Sequence, residues 1–320
     1  MTKLSTGVKS IDDLLLGGFM LGAPALVYGI PNLGKTWLSF QLACMCTRDP
    51  KHGGLGRRAL YLDTETFFTE DTFKLFYGYF RERWPDLPEK PMIDVKVVKD
   101  IFELGQLFGI HYEIIHEDRR VSVISRFPTK RQQSLAQTGK SEMKETTKSS
   151  KYIEESEIWK LLTDQKYGLV VIDSITAPIK SVIPSASQNF PARSNILQEL
   201  LGTFYTICQR HNTVIFLTDH ITRSPMSPGY VYGIGTPWGG QDVTYYVKIQ
   251  LGLYHALKEQ KLLHPAEAQR LRRVERHRYP GMERELVLVH LAKDEGYKEL
   301  PGQSGARQAV PDEEEAAKEE

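Results

Sequence analysis

The sequence predicts an α/β protein: a mostly parallel, twisted sheet with helices on both faces and antiparallel strands added late in the chain. Three observations carry this. Several short segments are near-continuous apolar runs, the pattern of strands covered on both faces. These alternate with longer segments of helical periodicity. A complete phosphate-binding loop joins one such strand to one such helix.

Taken in order, Ser10 is placed to cap a short helix carrying Ile11, Leu14, Leu15 and Leu16, which Gly17-Gly18 stops. Ala25-Leu26-Val27-Tyr28 reads as a buried strand, and residues 37–46 as a helix with Leu38, Leu42 and Met45 at helical spacing. A Gly-rich, basic connection over residues 51–58 leads to a second strand, Ala59-Leu60-Tyr61-Leu62-Asp63. An aromatic helix follows over residues 70–84, ended by Pro85, Pro88 and Pro91. Residues 93–98 read as a strand, and residues 101–115 include a helix. Residues 132–151 are rich in Ser, Thr, Gln and Lys and poor in large apolar residues, the composition of a flexible basic excursion. Order resumes with a helix over 153–162 and the apolar strand 168–173, which ends in Asp173. Residues 194–210 are the clearest amphipathic helix, and 213–218 are one more buried strand. Residues 243–251 and 284–291 alternate like strands with one covered face. The expected organisation is one core over residues 1–300 and an acidic, disordered tail over residues 301–320.

A formal net charge of +1 argues for no partner, so any nucleic-acid signal must come from local clusters. The three cysteines lack metal-ligand spacing and suit a reducing compartment. No apolar run has the length of a membrane span, and no leader opens the chain. A soluble, cytoplasmic protein is expected.

The phosphate loop is Gly29-Ile30-Pro31-Asn32-Leu33-Gly34-Lys35-Thr36, with Trp37 next in the helix. A strand turning through glycine into a helix N-terminus aims backbone N–H groups and the positive end of the helix dipole at one point. Lys35 can reach the β- and γ-phosphates of ATP, and the Thr36 hydroxyl can ligate Mg²⁺. Asp173, at a strand's carboxyl end, is the candidate second metal-shell group; alone it would read as a helix cap or turn residue. Glu65 follows a strand in Asp63-Thr64-Glu65 and can orient an attacking water, the alternative being a solvated turn pair. Asp219-His220 ends a further strand, where His220 can contact the γ-phosphate or be merely structural.

Read together, these strand ends resemble the RecA/RadA recombinase family over roughly residues 4–297. Ser5-Thr6-Gly7, Ser10-Ile11-Asp12 and Leu15-Leu16-Gly17-Gly18 resemble the family's opening motifs. Leu62-Asp63-Thr64-Glu65 is similar to its "D-T-E", which implies that Glu65 is the catalytic glutamate. Val171-Ile172-Asp173-Ser174 resembles its Walker B strand. Pro191-Ala192-Arg193, Gly239-Gly240-Gln241 and Lys293-Asp294-Glu295-Gly296 are similar to later family segments in the right order. The resemblance implies a RecA-like P-loop NTPase core, ATP with Mg²⁺, single-stranded DNA and a recombinase or other repair protein as partners.

Departures narrow this. The family's N-terminal helical domain and interface plug have no counterpart before residue 4. His220 stands at the usual glutamine sensor, Thr72 at the expected adenine-stacking arginine, and residues 180–191 are poor in basic side chains for a first DNA-binding loop. This resembles a RadA paralogue, in the manner of archaeal RadB. In the loop after His220, Arg223, Tyr230 and Tyr232 suit sequence-tolerant contact with single-stranded DNA. The basic excursion, and the cluster Arg270, Arg272, Arg273, Arg276 and Arg278, read as phosphate-binding surfaces or simply solvated faces. Two other readings stay open: a nucleotide-binding adaptor with little or no turnover, and a KaiC-like signalling ATPase. The latter carries a paired "E-E", whereas Thr66 follows Glu65 here.

Overall fold

The computed structural model describes residues 2–117, 120–126, 152–163, 166–184, 187–222, 236–238, 243, 245–256, 270–292, 294–300 and 308–309. The chain opens with β1 (Lys3–Leu4), α1 (Lys9–Leu14) and β2 (Phe19–Met20). β3 (Ala25–Gly29) then feeds α2 (Lys35–Thr47), and β4 (Arg58–Asp63) feeds α3 (Glu70–Arg83). β5 (Ile93–Val97), α4 (Ile101–Leu107) and a hairpin of β6 (His111–Glu117) and β7 (Arg120–Arg126) follow. Next come α5 (Glu157–Thr163), β8 (Tyr167–Asp173), α6 (Ala177–Val182), the long α7 (Phe190–His211) and β9 (Val214–Asp219). The last elements are the small ladder β10 (Ile221–Thr222) with β11 (Thr236–Pro237), then β12 (Ile249–His255), β13 (Leu271–Arg278), β14 (Glu285–Ala292), β15 (Gly296–Glu299) and β16 (Gln308–Ala309).

One ten-stranded sheet organises these, in the order β15-β14-β13-β12-β3-β9-β8-β4-β5, with β16 also on β14. The run from β12 to β5 is parallel throughout, and every pair beyond β12 is antiparallel. The apolar strands explain why both faces are covered. Ala25 and Val27 of β3 join one core with Leu38 and Phe40 of α2 and Phe76 and Phe80 of α3. Leu26 and Tyr28 of the same strand join the other, with Ile101 of α4 and Ile196, Leu200 and Phe204 of α7. All three cysteines are buried and free. Among the described residues no helix is long and apolar enough to cross a membrane.

Three local expectations are corrected and one is sharpened. Val8, not Ser10, is the N-cap of α1. Ser10 sits inside that helix, and its N–H donates to Glu299 Oε1 at 2.7 Å. The helix expected within residues 101–115 is α4, and the β6–β7 hairpin, in which β-branched residues and tyrosine pair strand to strand, takes up the remainder. Val243, Tyr245 and Tyr246 are helical, with Val247 N–H donating to the Val243 carbonyl, so β12 starts only at Ile249. The arginine cluster is a strand inside the sheet. Arg276 is fully buried and donates to the Leu14 and Glu283 carbonyls and to Glu285 Oε2, so at this position the run is neither a solvated face nor an open phosphate surface. The excursion 132–151, the acidic residues 311–320 and Arg223, Tyr230 and Tyr232 lie outside the described residues.

Candidate functional site

The parallel strands end at one edge of the sheet, and the candidate groups lie there side by side. β3, β9, β8 and β4 are consecutive neighbours, and they deliver the phosphate loop, Asp219-His220, Asp173-Ser174 and Asp63-Thr64-Glu65 respectively. An in-register parallel sheet makes this convergence automatic: Asp63 lies opposite Asp173, and Tyr28 opposite Asp219.

Two glycines shape the loop for separate reasons. Gly34 is the N-cap of α2 with φ of 91°, and a Cβ there would lie 2.7 Å from Leu291 Cδ2. Gly29 is kept bare by close approach, since a Cβ would lie 2.7 Å from the Leu253 carbonyl oxygen of β12. The first N–H groups of α2 have no acceptor within the helix, which leaves those of Lys35, Thr36 and Trp37 for an anion. The Trp37 indole is stacked on Phe76, with ring centroids 4.1 Å apart, so its side chain serves the core. Lys35 is buried. Its Nζ donates to the carbonyl oxygens of Gly29 at 3.0 Å and Ile30 at 2.9 Å. Burial lowers its pKa, opposed by the charges of Asp173, Glu65 and Asp219.

Asp173 is buried and held by hydroxyl groups. Tyr61 Oη donates to its Oδ2 at 2.6 Å, and Thr218 donates to Oδ1. Burial raises its pKa, while hydrogen bonds from Thr218, Tyr61 and Thr36 lower it. Thr36 thus lies close enough to Asp173 to lower its pKa, on the side where a hydroxyl and a carboxylate would share one divalent ion. Asp219 is also buried, and burial pushes its pKa well up. Its Oδ1 accepts the His220 N–H at 2.7 Å, and the neighbouring Thr176 hydroxyl and the charges of Lys180 and Lys35 oppose that rise. Among the described residues no three His, Cys, Asp or Glu side chains converge, so a hard cation here would complete its shell with phosphate oxygens and water.

Glu65 is half-exposed above these groups. Its Oε1 accepts from Ser174 Oγ at 2.7 Å and lies 3.3 Å from His220 Nε2. The His220 contact is the main cause that lowers its pKa to about 2, with burial opposing and Ser174 assisting. Asp63, by contrast, caps the turn after β4, accepting the Glu65 and Phe68 N–H groups at 3.1 and 2.7 Å. Thr72 lies in the first turn of α3, where its N–H donates to the capping hydroxyl of Thr69.

Beyond His220 the chain enters the β10–β11 ladder. Trp238 closes it: its N–H donates to the His220 carbonyl at 3.0 Å, and its ring lies 5.2 Å from Lys180 Nζ and 5.6 Å from the Arg193 guanidinium. Sequence reasoning did not single out Ser174, Tyr61, Thr218 or Trp238. For Tyr61 and Thr218 the only signal is register, which puts polar side chains on the strands flanking Asp173.

A family model described as Rad51 matches residues 1–79, a stretch that holds the phosphate loop, β4 and Glu65. A protein described as "DNA repair and recombination protein RadA", from Haloquadratum walsbyi, is 24% identical over 270 residues, covering 84% of this chain and 72% of that protein. Both matches are to proteins of the RecA/RadA family, and a mostly parallel sheet with helices on both faces is consistent with a RecA-like core. His220 and Thr72 remain departures from the family pattern set out above.

Proposed function

We propose that this chain is an ATP-binding, slowly hydrolysing RadA paralogue that acts as a cytoplasmic accessory protein in homologous recombination and DNA repair. Its nucleotide state tunes affinity for single-stranded DNA or for a recombinase or other repair partner. The observation that carries the reading is the meeting of Lys35, Glu65, Asp173 and His220 at adjacent strand ends, with Ser174 bridging to Glu65.

In this reading Lys35 leaves the Gly29 and Ile30 carbonyls for the β- and γ-phosphates, and the first N–H groups of α2 cradle the same oxygens. Thr36 and Asp173 hold Mg²⁺, which when bound neutralises charge on the phosphate oxygens. Glu65 positions the attacking water. A carboxylate with a pKa of about 2 is ionised at neutral pH but is a weak base. His220 is the main cause of that weakness. Drawing its imidazole to a γ-phosphate would return Glu65 toward its ordinary basicity, so hydrolysis would be armed only when nucleotide is seated. The same movement acts on the Trp238 hinge and the loop carrying Arg223, Tyr230 and Tyr232, the proposed DNA contacts.

Steady-state phosphate release with and without single-stranded DNA tests this. Slow turnover that Glu65→Gln abolishes supports it. A second reading, a nucleotide-binding adaptor without turnover, is favoured by Lys35 being tied to two carbonyls and by the low basicity of Glu65. Absence of turnover in both conditions, with nucleotide binding intact, would select the adaptor.

A further inference from the structure

At the opposite edge of the sheet, by the N-terminal ends of the parallel strands, a cleft of ≈ 990 Å³ opens beneath β3, β12 and the β13–β14 turn. Its charge is one-sided. Lys248 and Arg278 line it, and no carboxylate does among the described residues around it. Lys248 Nζ donates to the Tyr245 carbonyl at 3.0 Å and faces the Tyr205 ring at 5.9 Å, and no carboxylate among the described residues is paired with it. Arg278 Nη1 is buried without a hydrogen-bond partner. A buried donor left unmade is costly, and an incoming carboxylate would satisfy it. Lys3 adds a further positive charge nearby, 5.7 Å from the ring of Tyr279, another lining residue.

An acidic segment follows the last described strand in sequence. β16 pairs antiparallel with the start of β14, Gln308 opposite Leu286 and Ala309 opposite Glu285. β16 therefore points along β14 toward the β13–β14 turn, whose Pro280 and Gly281 line the cleft. Asp312, Glu313, Glu314 and Glu315 come next, with Glu319 and Glu320 beyond and Lys318 the lone cation. Reach is sufficient. From β14 to the start of β12 is two strand spacings, roughly 10 Å, and each extended residue covers up to ~3.5 Å.

We propose that this cleft binds an acidic peptide segment and that its occupant is the chain's own residues 312–320, with the first carboxylates on Arg278 and Lys248. Tethering three residues from Ala309 gives this segment an effective concentration on the order of millimolar, which no free partner matches. A polynucleotide would need a track of available cations leading away from the cleft. The other arginines of β13 do not provide one: Arg276 is held by Glu285 and backbone carbonyls, and Arg273 by Glu275.

The test uses full-length chains and a fluorescein-labelled peptide of residues 311–320, read by fluorescence anisotropy. The acceptor is the chain carrying Asp312→Asn, Glu313→Gln, Glu314→Gln and Glu315→Gln, whose own segment is neutralised. It should bind the peptide about tenfold more tightly than wild type, where the cleft is filled. Adding Lys248→Gln and Arg278→Gln to the acceptor should weaken binding about tenfold, and 0.5 M NaCl should weaken it further. A peptide with the same four residues as amides should not bind, a control that alters nothing in the fold. Equal binding to acceptor and wild type, no binding to the acceptor, or indifference to Lys248 and Arg278 would each overturn the proposal. So would a labelled oligothymidylate whose binding, unlike that of the peptide, is lost with Lys248→Gln and Arg278→Gln; the cleft would then be a polynucleotide site.

Discussion

Glu65 is held ionised mainly by one neighbour, His220, and that makes its titration a reporter of the site. Its pKa is depressed to about 2, so its contribution to stability is complete above the ordinary carboxylate range and is lost as pH falls toward 2. In His220→Ala the chief lowering contact is gone, and the Glu65 pKa should move upward toward its ordinary value. Carboxyl carbon NMR titration reads this directly; an unmoved pKa would mean Ser174 and Lys35 suffice. Glu65→Gln should keep nucleotide binding while cutting turnover by about 10²-fold or more, measured as phosphate release against nucleotide affinity. Much of this site was legible in the sequence because strand ends in a parallel sheet converge whatever the loops do. Lys35, Glu65, Asp173 and His220 could be read that way. Ser174 and Tyr61 could not, because their roles depend on side-chain direction and on a register that only the folded sheet fixes.

At the scale of elements, the loop between β3 and α2 depends on backbone shape more than on side chains. Gly34→Ala adds a Cβ at a left-handed φ, directly against Leu291, and should cost about 1–3 kcal/mol in denaturant unfolding. β13 carries the opposite lesson. Five arginines in a short stretch look like surface, yet Arg276 is fully enclosed and paired with Glu285. Arg276→Ala strands that carboxylate and two carbonyls, so a loss of roughly 3 kcal/mol or more is expected from the same measurement. Composition could not reveal this, because an arginine run reads alike whether its partners lie in solvent or on the next strand. The apolar strands β3, β4, β8 and β9 were legible for the converse reason: nothing but burial on both faces suits them. The β6–β7 hairpin was missed because its residues alternate too weakly to be told from the helix before it.

For the whole molecule, the sheet separates two kinds of chemistry. The edge with the phosphate loop gathers carboxylates around a lysine, and the cleft at the opposite edge is lined by Lys248 and Arg278 with no carboxylate among the described residues. Mg²⁺ with ATP at about a hundred times its Kd should stabilise wild type by ~2.7 kcal/mol against unfolding and leave Lys35→Ala unchanged. Binding by itself, however, does not separate a switch from an inert ligand. The central claim is that occupancy at the first edge resets the His220–Trp238 hinge and with it DNA affinity. The direct measurement is the affinity for a labelled single strand at fixed salt, with and without Mg²⁺ and ATP, in wild type and in Lys35→Ala. The account predicts a change of about tenfold with nucleotide in wild type and none in Lys35→Ala. Equal affinity with and without nucleotide in wild type would contradict it.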